Sequence, residues 1–148
     1  MSWTVTKLSE SSESMVFRCV ASAAVARPAD IDGGDDPTID ISAQASATLT
    51  GTLVTHIEYV EWNCPDQISA TASGLLTIDY HATSSVSPHP DAPQIVLQLS
   101  GSGSMGVNTP GVIAKPANTA ARSFNGDIVL TTTGACTLVM SLRKISGF

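Results

Sequence analysis

Residues 38–49, TIDISAQASATL, alternate without a break. Ile39, Ile41, Ala43, Ala45, Ala47 and Leu49 fall on one side, and Thr38, Asp40, Ser42, Gln44, Ser46 and Thr48 on the other. A repeat of two is the repeat of an extended strand with one face against a core. The alanines do not turn this into a helix: no apolar stripe of period 3.6 is present, and the flanking Ile and Thr are poor helix formers. The pattern returns in ISATASGLLTIDYH, residues 68–81, with Ile68, Ala70, Ala72, Leu76, Ile78 and Tyr80 on one face and Gly74 at a bend or bulge. Both stretches are therefore predicted as half-buried strands.

Further strands are predicted over 3–6, 15–21, 53–62, 95–100, 127–133 and 137–145, separated by turn-rich segments such as RPADIDGGDDP and SSVSPHPDAP. About eight short strands predict an all-β fold, an antiparallel β-sandwich of jelly-roll-like kind, in one domain over residues 1–148. The two runs in GDIVLTTTGACTLVMSLRK, residues 126–144, read as a hairpin hinged at Gly134. Leu138, Met140 and Leu142 fill the core, while Arg143 and Lys144 face opposite sides, end the strand and limit edge pairing. A long loop is expected at 101–126, a length unusual inside a compact domain unless the loop has a task.

Composition narrows the function classes. Only 14% of residues are charged, against about 25% in a typical soluble domain, while nineteen are Ser and sixteen are Thr. The surface is therefore rich in hydroxyls. The net charge is −6, with twelve acids and three bases in residues 1–100 and one acid and four bases in 101–148. No Lys/Arg cluster suggests a nucleic-acid partner. The N-terminus, MSWTVTKLSESSES, has no signal-peptide pattern, and no apolar run approaches a membrane span, so the chain is expected to be made in the cytoplasm without a membrane partner.

Candidate chemistry is thin. Gly101-Ser-Gly-Ser-Met-Gly106 satisfies G-x-G-x-x-G after a strand, but Pro110 and Pro116 break the helix a dinucleotide fold needs, so a flexible loop is expected. Asp30, Asp32, Asp35 and Asp36 in DIDGGDD have calcium chemistry without the EF-hand spacing, and an acidic turn is preferred. The couples Asp79/His81 and His56/Glu58 each fall at i, i+2 on a strand, yet neither has an identifiable nucleophile, and His56, His81 and His89 have no zinc-ligand spacing. Cys19, Cys64 and Cys136 fit neither a disulfide framework nor a paired zinc motif and read as reduced, inert thiols. No catalytic residue, cofactor or metal site is assigned, and an enzyme is not expected.

One set of motifs does point to a family. LTGTLVTHIEYVEW (49–62), IVLQLSGSGSMG (95–106), PGVIAKPAN and GDIVLTTTGACTLVMSLRK, in this order, resemble small accessory virion proteins encoded near the capsid genes of tailed bacteriophages. The resemblance covers about half of the chain, mostly after residue 48, and carries no catalytic residues. It implies a capsid decoration or cement protein at the capsid surface, binding the major capsid protein or other virion proteins. A vertex, connector or tail-associated protein is the alternative, and a carbohydrate-binding β-sandwich the second. Free sheet edges suit a homo-oligomer or strand addition. The candidate interface residues are Trp3, Met105, Val107, Val112, Ile113, Phe124, Arg143 and Lys144, most of them in or beside the long loop.

Overall fold

The computed structural model describes residues 2–26, 37–44, 53–65, 75–81, 83–84, 95–106, 117, 122–124 and 126–146. Ten strands and one helical turn follow in order: β1 (Thr4–Glu10), β2 (Ser14–Ala21), α1 (Ile41–Gln44), β3 (Leu53–Cys64), β4 (Leu76–Tyr80), β5 (Thr83–Ser84), β6 (Ile95–Leu99), β7 (Gly101–Met105), β8 (Arg122–Ser123), β9 (Ile128–Thr132) and β10 (Cys136–Ser146). They form an antiparallel five-stranded sheet, β1-β2-β10-β3-β7, a three-stranded sheet, β6-β4-β9, and a two-stranded ladder of β5 with β8. Among the described residues no helix is long and apolar enough to cross a membrane.

The period-two pattern explains the five-stranded sheet directly. Met15, Phe17, Cys19 and Ala21 of β2 and Leu138, Met140 and Leu142 of β10 are buried. The residues between them are exposed or half-buried, apart from Ser141. Leu76, Ile78 and Tyr80 of β4 and Ile128 and Leu130 of β9 join these residues, Ala21 apart, and Ile57 and Val60 of β3 in one core cluster. Three hydrogen bonds tie the two sides of that core together. The Ile57 N–H donates to the Tyr80 hydroxyl at 3.1 Å, Trp3 Nε1 donates to the Leu130 carbonyl at 2.9 Å, and Thr55 Oγ1 donates to the Gly126 carbonyl at 3.2 Å.

Four sequence expectations are corrected. The runs in 126–144 are not a hairpin: β9 belongs to the three-stranded sheet and β10 to the five-stranded one. The chain crosses between them at 133–135, where Thr132 Oγ1 donates to the Gly134 carbonyl at 2.7 Å and accepts from the Gly134 N–H at 3.3 Å. Pairing β9 with β10 would set their apolar faces side by side; separating them lets both line the shared core. β10 is also central, between β2 and β3, so Arg143 and Lys144 protect no edge.

The second correction concerns 38–49. Ile39 makes one bridge to Ile128, and a helical turn starts at Ile41. Asp40 caps that turn by accepting from the Ala43 N–H at 3.3 Å, and Asp127 takes the Ile41 N–H at 2.8 Å. A capping Asp followed by a captured N–H overrides alternation. Ile39 and Ile41 are buried as the pattern requires, and residues 45–49 lie outside the described residues. Third, β4 is buried on both faces, Thr77 and Asp79 as well as Leu76, Ile78 and Tyr80; residues 68–74, with Gly74, lie outside the described residues. Fourth, the long loop begins as strand β7 and includes β8.

Candidate functional site

The structure separates the predicted interface residues. Phe124 is in the core, only 4% exposed. Trp3 is half-buried, packs against the core and bonds Leu130, so it joins the two sheets and presents little to a partner. Lys144 is buried: its Nζ donates to Glu10 Oε2 at 2.6 Å and to the Ser11 carbonyl at 2.8 Å, while Lys7 holds Glu10 Oε1 at 2.6 Å. Phe124 and Lys144 face inward and Trp3 is half-covered, because each completes the core or its end. Arg143 and Met105 are exposed. Val107, Val112 and Ile113 lie outside the described residues.

The accessible surface with the most organisation is the outer face of the five-stranded sheet. Strand register lays its side chains in rows. One row runs Thr4, Val20, Thr137, Asn63, Ser102, and the next Thr6, Arg18, Val139, Glu61, Ser104. A third runs Ser9, Val16, Ser141, Tyr59, and a fourth Ser14, Arg143, His56, with Ser141 and His56 themselves buried. Arg18 is exposed and is bordered by Val16, Val20 and Val139, all half-buried. Only sheet formation assembles this patch: its residues come from two strands more than a hundred residues apart in sequence.

At the β7 edge of the sheet, Glu61, Asn63, Ser102 and Ser104 from the outer face and Trp62 and Gly103 from the inner one line an open groove of about 390 Å³. Trp62 bonds the Ser100 carbonyl through Nε1 at 3.0 Å and covers Gly103, where a Cβ would stand 2.9 Å from the ring. Tyr59 lies against Gly106 in the same way and donates its hydroxyl to Glu61 Oε2 at 2.8 Å. The Glu61 hydrogen bond raises the Tyr59 pKa. The G-x-G-x-x-G glycines therefore give room for two aromatic rings on a strand, and the stretch is an ordered edge strand where a flexible loop was expected.

The cysteines, far apart in sequence, are brought together. Extending the Thr137–Asn63 register by one position sets Cys136 opposite Cys64, both in the core cluster. Cys19 lies opposite Leu138, the next inward residue of β10, and interacts electrostatically with Cys136. Burial pushes Cys19 up to about 12, and raises Cys64 and Cys136 as well. Such thiols stay protonated and make poor nucleophiles.

Asp79 and His81 are both buried on β4 and just after it, and the His81 N–H donates to the Asp127 carbonyl at 2.8 Å. The register shift at Glu58 breaks the expected relation with buried His56, and Glu58 instead accepts from Ser141 Oγ at 2.9 Å. Asp30, Asp32, Asp35, Asp36 and His89 lie outside the described residues. Among the described residues no group of three or more His, Cys, Asp and Glu is placed to hold a metal ion. No protein family, curated protein or solved structure matches the chain.

Proposed function

We propose that this chain is a structural virion protein of a tailed bacteriophage: a jelly-roll-like β-sandwich that binds the major capsid protein lattice as a decoration or cement protein. The observation that carries the reading is the Arg18 patch on the outer face of the five-stranded sheet. A face of Thr, Ser and half-buried Val around an exposed arginine has the composition of a protein contact, where Arg is enriched and dense charge is depleted. Arg143 adds a second cation on that face, with Glu61 set toward its β7 side, so an acidic group on the neighbour is the complement of the Arg18–Arg143 part even though the chain as a whole carries −6. The ordered motifs of the sequence resemblance support the same class, and the sheets behind the face hold it rigid.

Capsids purified without this protein, incubated with it and sedimented, test the proposal. Co-sedimentation with a copy number matching the capsid subunits supports decoration; a number matching vertices or the portal places it there instead. Arg18→Glu is expected to weaken binding about tenfold, the effect of losing one central contact, with an unchanged melting temperature. Absence of binding by the folded wild-type protein overturns the reading. A carbohydrate-binding role is the second reading, favoured by the edge groove, whose lining includes an aromatic ring, Trp62, a carboxylate, Glu61, and an amide, Asn63; binding on a glycan array that Trp62→Ala abolishes would establish it.

A further inference from the structure

The two edges of the five-stranded sheet differ in how they are finished. β1 carries a register shift between Lys7 and Ser9 and a Lys7–Glu10 ion pair, two devices that discourage another strand from pairing. β7 has neither. Its sequence, GSGSM, holds no charge and no proline, its register with β3 is unbroken from Gly101 to Met105, and residues 102–106 are exposed. Among the described residues no strand lies beyond it.

We propose that β7 pairs with β7 of a second copy of this chain, antiparallel about a two-fold axis at Gly103, to continue the sheet across the dimer. The sequence is self-complementary about that point. Gly101 stands opposite Met105 of the other copy and Ser102 opposite Ser104, so small uncharged side chains meet and the hydroxyl pairs can hydrogen-bond. Trp62 over Gly103 fixes where β7 sits on β3, and with it where the axis falls. The acidic groups are kept apart: each Glu61 is one strand in from β7, which puts the two carboxylates three strand spacings apart, about 14 Å, beyond the ~8 Å screening length at physiological salt. The contact is independent of capsid binding, and its failure leaves the Arg18 face as proposed.

Sedimentation velocity of the purified protein over a concentration series tests it. The wild-type chain is expected to pass from monomer to dimer. Ser102→Lys/Ser104→Lys, which opposes lysines across the axis, is expected to weaken association at least about tenfold, with no change in the far-UV spectrum. An equimolar mixture with Ser102→Glu/Ser104→Glu is expected to recover a heterodimer, because each lysine then meets a glutamate. A wild-type chain that stays monomeric at millimolar concentration, a dimer that the lysine variant leaves unchanged, or a mixture without recovery overturns the proposal.

Discussion

Gly126 shows how much one residue can be asked to do. It has φ +97°, and a Cβ there would fall on the Oγ1 and carbonyl oxygen of Thr55, which itself donates to the Gly126 carbonyl. Both the left-handed backbone and the close approach exclude a side chain. Gly126→Ala is expected to cost at least about 2 kcal/mol, read from urea unfolding. Gly103 differs: its backbone is ordinary, and the constraint is the Trp62 ring alone. An alanine there would displace the Trp62 ring, which lines the groove and packs against the edge of the core.

At the scale of elements, the Lys7–Glu10–Lys144 group fastens the end of β1 to β10. The side chain of Lys144 is 0% exposed and that of Glu10 7%, so the pair is out of water, and Lys144 N–H also donates to the Glu13 carbonyl at 2.7 Å. Removing one member of a buried pair leaves an uncompensated charge, which costs about 3–5 kcal/mol. The two members are not equivalent, because Glu10 also holds the partly exposed Lys7. Glu10→Ala, which leaves a buried ammonium without its carboxylate, is expected to approach the full cost. Lys144→Met, which leaves Glu10 still paired with Lys7, is expected to cost less. Thermal or urea unfolding of the two variants compares them, and equal losses would show that the Lys7 contact does not compensate.

Across the whole molecule, both sheets bury their inner faces in one cluster, so unfolding exposes all of it together. Four of its members titrate. Burial raises the thiols of Cys19, Cys64 and Cys136 and the phenol of Tyr80 above their ordinary values of 9.0 and 10.0. The unfolded chain therefore loses these protons first, and above pH 9 the native state binds more protons than the unfolded one. Their contribution is complete below pH 9 and is lost as pH rises toward the folded values, by about 1.4 kcal/mol per pH unit for each group once its unfolded form has ionised. Urea midpoints are expected to be flat on this account from about pH 7 to 8.5 and to fall steeply by about pH 10.5. A Cys19→Ser/Cys64→Ser/Cys136→Ser variant is expected to start less stable and to decline less with pH.

Alternation of side chains alone determined that this is a β protein, that Leu138, Met140 and Leu142 face inward, and that Arg143 and Lys144 part to opposite sides. Those are local consequences of an extended backbone, and each can be read from a window of a few residues. The misreadings came from places where a distant partner outweighs the local pattern. Asp127, far along the chain, captures the Ile41 N–H and helps turn 41–44 into a helix; the shared core sends β9 and β10 to different sheets; Trp62 makes a strand of a glycine stretch that has no apolar repeat of its own. The thiol cluster, the buried lysine and the Arg18 patch were equally illegible. Each is an accident of register between strands tens of residues apart, and register is decided only when the sheets close on their core.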